Sequence, residues 1–202
     1  MNQELHQHFS MIRNFHLADL FTLGNGFCGV SAIFSAMKFL TTEQPYYILW
    51  AGVLVICAAV FDLLDGRVAR WRHKASSMGR ELDSLADVIS FGVAPACIAY
   101  AIGLNTVLDQ IILLYFSGCG LSRLARYNIT AEALSAQTGK VQYFEGTPIT
   151  TSFIPLGLLM VAFYYDNFFP IQLPVGHIHL VSLLFLISGS LMISKTLHIP
   201  KP

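Results

Sequence analysis

Charge is scarce in this chain. Only 12% of its 202 residues are Asp, Glu, Lys or Arg, against about 25% in a typical soluble domain. With 54% hydrophobic residues and a mean hydropathy of +0.59, the shortage points to lipid as the solvent. The formal net charge is zero, so no basic excess argues for a nucleic-acid partner. Cysteine pairing is also missing: Cys28, Cys57, Cys97 and Cys119 each lie alone in an apolar run, and no CxxC spacing occurs. They read as small buried apolar groups rather than a disulfide framework or a zinc site. The N-terminal stretch lacks a basic-then-apolar pattern ending in small residues, so no removable signal peptide is expected. No internal repeat argues for an inverted-repeat transporter.

What is present is a succession of apolar runs. A membrane-spanning helix needs about 20 mostly apolar residues. Six runs meet or approach this, at 20–40, 46–66, 84–104, 107–125, 148–165 and 175–194. They predict an all-α integral membrane protein with six transmembrane helices: a 1–19 N-terminal segment, a 20–194 catalytic domain and a 195–202 tail. Leu5, Phe9, Ile12 and Phe15 can form one side of an interfacial helix, with a mobile tail as the alternative. The fifth run contains Pro155, tolerable in lipid where neighbouring helices satisfy the freed carbonyl. Arg13, Arg67, Arg70, Arg72, Lys74, Arg80, Arg123, Arg126, Lys140, Lys195 and Lys201 fall on one side of this layout, and Lys38 alone on the other. By the positive-inside rule both termini are then cytosolic.

Most of the acidic chemistry sits in one block on that same side, "FDLLDGRVARWRHKASSMGRELDSLADVIS". Asp62 and Asp65 are three apart, Asp83 and Asp87 four apart, so each pair shares a helix face. A short connection makes the two helices antiparallel neighbours, which lets the four carboxylates converge. Converging carboxylates repel one another, and burial raises the cost of their charge. A divalent cation resolves this, and an all-oxygen donor set suits Mg²⁺ or Mn²⁺. Gly66 and Gly79 allow close approach of a ligand, Ala69 keeps the same face open, and Arg70 offers a guanidinium for a phosphate. The combination suits a diphosphate. His73, between the pairs in a very basic stretch, reads as a loop residue; the competing reading of the block is a solvated loop of ordinary charges.

Asp62-x-x-Asp65-Gly66-x-x-Ala69-Arg70, then eight residues, then Gly79-x-x-x-Asp83-x-x-x-Asp87, carries every fixed position of the CDP-alcohol phosphotransferase signature, and the chain resembles that family. "LADLFTLGNGFCG", "MGRELDSLADVISFGVAP", "GLSRLARYN" and "QYFEGTPITTS" are similar to its membrane-spanning phosphatidylserine synthase branch, although many members carry Leu after the glycine of the last block. The resemblance implies CDP-diacylglycerol and L-serine as substrates, phosphatidylserine and CMP as products, and a homodimer. It implies Asp62, Asp65 and Asp83 as metal ligands with Asp87 close by, and Asp87 as general base. Gly66, Ala69, Arg70 and Gly79 would line the CDP pocket, and Asn25 would face the nucleotide.

Arg123 and Arg126, three apart, are candidates for serine's carboxylate or a phosphate; the alternative is snorkelling to headgroups. Glu145, with Tyr143 nearby, is a candidate for serine's ammonium, or a solvated loop glutamate. Lys140 reads as a loop charge. Two functional alternatives stand beside this reading. One is the same family with inositol phosphate, glycerol phosphate or choline as acceptor. The other is a cation transporter, which would need polar groups continuing across the bilayer.

Overall fold

The computed structural model describes residues 17–72, 77–137, 143–168, 170–173, 176–194 and 198–200. Helices dominate. α1 (Leu17–Thr42) and α2 (Pro45–Arg72) form an antiparallel hairpin, and α2 begins on a proline, where the missing N–H has no intrahelical partner to lose. α3 (Ser77–Asp87) runs into a π-helical segment, Val88–Val93, and then into α4 (Ala94–Ala101). α5 (Val107–Gln137) follows, then a 3₁₀ turn (Ile149–Ser152), α6 (Phe153–Tyr164) and α7 (Ser182–Ile193).

Four stretches are long and apolar enough to cross a membrane: Ala18–Thr42, Pro45–Val68, Met78–Ala101 and Val107–Thr130. Ile149–Tyr164 and Ser182–Ile193 are apolar but shorter. The chain is an integral membrane protein, with four candidate spans among the described residues. Large apolar side chains such as Phe27, Phe34, Trp50, Leu114, Ile129 and Ile154 stand more than half exposed around the helices, as lipid-facing residues do.

Three expectations from the sequence shift. The third helix starts at Ser77 rather than near 84, so Asp83 lies inside it and Asp87 is its last residue before the π-helical segment. The last apolar run does not begin as helix at 175. Pro170–Leu173 (β2) and Gly176–His179 (β3) pair antiparallel there, and α7 starts only at Ser182. Pro155 lies in the first turn of α6, just after the 3₁₀ turn, so it breaks no interior hydrogen bond. A second small pair, Tyr143–Glu145 (β1) with His198–Pro200 (β4), joins two distant parts of the chain. The suggested interfacial helix falls in residues 1–16, and His73 and Lys140 also lie outside the described residues.

The core is built for close helix approach. Ala32 and Ala36 on α1, with Ala51 and Ala58 on α2, are at most 1% exposed. Small residues of this kind let membrane helices pack backbone to backbone. A Cβ at Gly29 of α1 would overlap Ser90 of the π segment, so glycine is required there. Phe116 of α5 and Phe185 of α7 meet edge to face at 5.2 Å, and Phe91 meets Phe153 at 5.5 Å. All four cysteines are free thiols, but only Cys119 is buried as expected; Cys28, Cys57 and Cys97 are partly exposed on helices that face lipid.

Candidate active site

α2 and α3 bring the two aspartate pairs together, but unequally. Asp62, Asp83 and Asp87 each offer a carboxylate oxygen within 4.8 Å of the others. Asp65 is not one of this trio. It turns toward α1, where Thr22 Oγ1 donates to its Oδ2 at 2.8 Å in a buried contact. Sharing a face at spacing three did not suffice: on α2, Asp62 points at α3 and Asp65 at α1.

α1 supplies a second support. Asn25, fully buried, donates from Nδ2 to Asp87 Oδ1 at 3.0 Å. Its own carbonyl accepts from Ser90 Oγ at 2.9 Å. The π segment explains how Ser90 reaches it. An i+5 turn directly after Asp87 changes the register of the following residues, and π turns of this type concentrate at functional sites. Ser117 Oγ of α5 donates to the Gly92 carbonyl at 3.2 Å and holds the segment from the other side.

The trio opens into a cavity of ≈ 400 Å³. Its walls also carry Arg80, Glu81, Ser84, Arg123, Tyr127 and Asn128. Arg123 is 7% exposed and its Nε has no hydrogen-bond partner. Arg126 faces elsewhere: its Nη1 donates to the Ile193 carbonyl at 3.5 Å, at the C-terminal end of α7. The two arginines expected to act together thus divide between cavity and helix end.

Three converging carboxylates test the metal expectation. Asp83 Oδ1 is buried without a hydrogen-bond partner, and Asn25 Oδ1 likewise. A buried carboxylate oxygen without a donor is costly, and the trio needs positive charge. The donors are all oxygen, with neither thiolate nor imidazole among them. This set fits a hard divalent cation.

The remaining expected residues are placed as follows. Gly66 stands in open space, where a Cβ would meet nothing within 4 Å. Gly79 lies in α3, two residues before Glu81. Ala69 and Arg70 belong to α2, but their side chains lie outside the described residues. The same holds for the side chains of Tyr143 and Glu145 in β1. Gly146, next in the chain, has φ +74, and a Cβ there would strike the Met192 carbonyl. Sequence reading missed Thr22, Ser84, Ser90 and Asn128. Ser84 and Ser90 fall in the acidic block but at none of its fixed positions, and Thr22 and Asn128 lie outside it.

Comparison with known proteins agrees with the geometry. Residues 15–189 match the family model of the CDP-alcohol phosphatidyltransferases. A Saccharomyces cerevisiae protein named CDP-diacylglycerol–serine O-phosphatidyltransferase is 47% identical over 96% of this chain and 74% of its own length. A Bacillus subtilis protein of the same name is 36% identical, over 78% of this chain and 79% of its own. The Helicobacter pylori protein of that name is 38% identical over 74% of this chain and 57% of its own. With its family match covering most of the sequence, and with the carboxylate trio its signature spacing implies, the chain belongs to the CDP-alcohol phosphatidyltransferase family.

Proposed function

We propose that this protein transfers the phosphatidyl group of CDP-diacylglycerol to the hydroxyl of L-serine, giving phosphatidylserine and CMP. The observation that carries the reading is the meeting of Asp62, Asp83 and Asp87 in a polar cavity that also holds the buried, partnerless Arg123 Nε. Identity of 47% to the yeast serine enzyme over nearly the whole chain supports the choice of acceptor.

Asp62, Asp83 and Asp87 would hold Mg²⁺ or Mn²⁺, with Asp65 beside them on the diphosphate. The bound ion would offset diphosphate charge as CMP departs. The chain's own residues do the rest. Asp87, oriented by Asn25, takes the proton of the serine hydroxyl as that oxygen attacks the phosphorus bearing the lipid. A bond from serine oxygen to phosphorus forms, and the bond from that phosphorus to the oxygen of CMP breaks. Arg70, with Gly66, Ala69 and Gly79, lines the diphosphate path. Arg123 binds the acceptor's carboxylate. Arg126 secures α5 to the end of α7 and thereby holds Arg123 in place.

The two shorter helices, Ile149–Tyr164 and Ser182–Ile193, complete a six-helix domain over 20–194. Both termini and the site face the cytosol, in the plasma or inner membrane of a prokaryote or the endoplasmic reticulum of a eukaryote. The lipid tails stay in the bilayer, and two copies associate as a homodimer. CMP release from CDP-diacylglycerol by purified protein, with L-serine, inositol phosphate, glycerol phosphate and choline in turn, tests the reading. Serine-dependent release is expected. Release with another alcohol alone would keep the family and discard serine, and metal-dependent ion flux without CMP release would replace the enzyme with a transporter.

A further inference from the structure

α3 presents two faces to the cavity. Asp83 and Asp87, four apart, meet Asp62 of α2. Glu81 and Ser84, three apart, share the neighbouring face and meet α5. There Asn128 Nδ2 donates to Ser84 Oγ at 3.0 Å and reaches the two Glu81 oxygens at 3.5 and 3.4 Å. Ser84 Oγ in turn donates to Asn128 Oδ1 at 3.2 Å. The amide contacts to Glu81 are long, and a neutral amide leaves the carboxylate's charge unmatched.

Beyond the trio the cavity walls carry exposed Arg80 and exposed Glu81, the latter held by a polar brace, and the 93%-buried Arg123 with a free Nε. A phosphate-bearing acceptor would match Arg123 and be repelled by Glu81. A plain amino alcohol would match Glu81 and leave the buried Arg123 Nε without an acceptor. A zwitterion with an ammonium beside a carboxylate matches both. We infer that Glu81, braced by Ser84 and Asn128, binds the ammonium of the acceptor and restricts it to an α-amino acid. This rests on the transfer reaction proposed above and assigns the acceptor's selection to a residue outside the aspartate signature.

The test uses full-length protein in detergent with CDP-diacylglycerol and Mn²⁺, following CMP release. L-Serine is compared with 3-hydroxypropionate, which keeps the hydroxyl and carboxylate and lacks the ammonium. Losing a charge-assisted contact should raise the KM for serine about tenfold or more in Glu81→Gln. The KM for CDP-diacylglycerol and the kcat/KM for 3-hydroxypropionate should stay within about twofold. Glu81→Asp, which keeps the charge on a shorter arm, should fall between, and it carries the test if Glu81→Gln does not fold. A serine KM within about twofold of wild type in the variants would overturn the inference. So would a parallel rise for serine, 3-hydroxypropionate and CDP-diacylglycerol, which marks Glu81 as a bolt between α3 and α5 only. Wild-type protein that uses glycerol phosphate and rejects serine overturns the proposed reaction and this inference together, whereas serine turnover with an indifferent Glu81 overturns this inference alone.

Discussion

Asp109, alone on α5, and the aspartate trio on α2 and α3 are treated in opposite ways. Near the start of α5, Asp109 is fully buried and its donors are all protein groups. Thr106 Oγ1 donates to it at 2.7 Å, the His179 backbone N–H at 3.1 Å, and the His179 ring nitrogen Nδ1 lies at 2.6 Å. Asp109 N–H returns a bond to Thr106 Oγ1 at 3.2 Å, a reciprocal cap that starts the helix. Toward the other end of α5, the trio of Asp62, Asp83 and Asp87 shares one donor among the described residues, Asn25, and Asp83 Oδ1 has none. A carboxylate whose lone pairs are filled by its own chain is a structural tie. One whose oxygens converge on other carboxylates is waiting for something positive. The same contrast counts against an ion path: the acidic group at the far end is tied off by His179 and Thr106.

The largest expected effect breaks the trio. Asp87→Asn removes the base and should lower serine-dependent CMP release by about 10²–10⁴-fold, measured at saturating substrates. Removing one of three mutually repelling charges should leave the metal-free melting temperature unchanged or higher. Asp109→Asn should do the reverse, with CMP release per folded molecule near wild type and a lower melting temperature. Disturbing a buried carboxylate's hydrogen bonds while their donors remain costs about 1–3 kcal/mol. If Asp109→Asn abolished turnover in stably folded protein, the division between tie and ligand site would fail.

Metal addition reads the same contrast without a mutation in the base. Chelation should stop CMP release. Restoring Mn²⁺ or Mg²⁺ to about 100 times its dissociation constant should stabilise the fold by about 2.7 kcal/mol, seen as a rise in melting temperature. Asp83→Asn should lose that rise and Asp109→Asn should keep it.

The sequence made the site more legible than the fold around it. Helix spacing and the positions of the acidic pairs are local properties, and they were sufficient to bring Asp62, Asp83 and Asp87 together. Which way Asp65 points depends on Thr22, 43 residues away, and no local pattern reports that. The π segment was equally hidden, since Val88–Val93 reads as an ordinary apolar stretch and its extra residue is accommodated by contacts with Gly29 and Ser117. Hydropathy located the runs but not the conformation of their ends. The stretch leading into α7 is apolar enough for helix, yet it pairs as β2–β3, which carries His179 to Asp109.

Asp65 sharpens the comparison because it belongs to the signature yet resembles Asp109 in having a protein donor. Thr22 and Asp65 are 3% and 6% exposed, so their bond is shielded from water. A hydrogen bond to a buried charged group contributes about 1.5 kcal/mol or more. Thr22→Val keeps the shape of the threonine and removes only the donor. If Asp65 is mainly a tie between α1 and α2, this variant should lose about that much stability and keep both KM values. If Asp65 serves the diphosphate, as its place in the proposed site requires, freeing its Oδ2 should also alter the KM for CDP-diacylglycerol, by about three- to tenfold, while the KM for serine stays near wild type. The proposed site demands the second result. The first would move Asp65 out of the catalytic set and leave the trio to act with Asn25, Arg123 and Glu81.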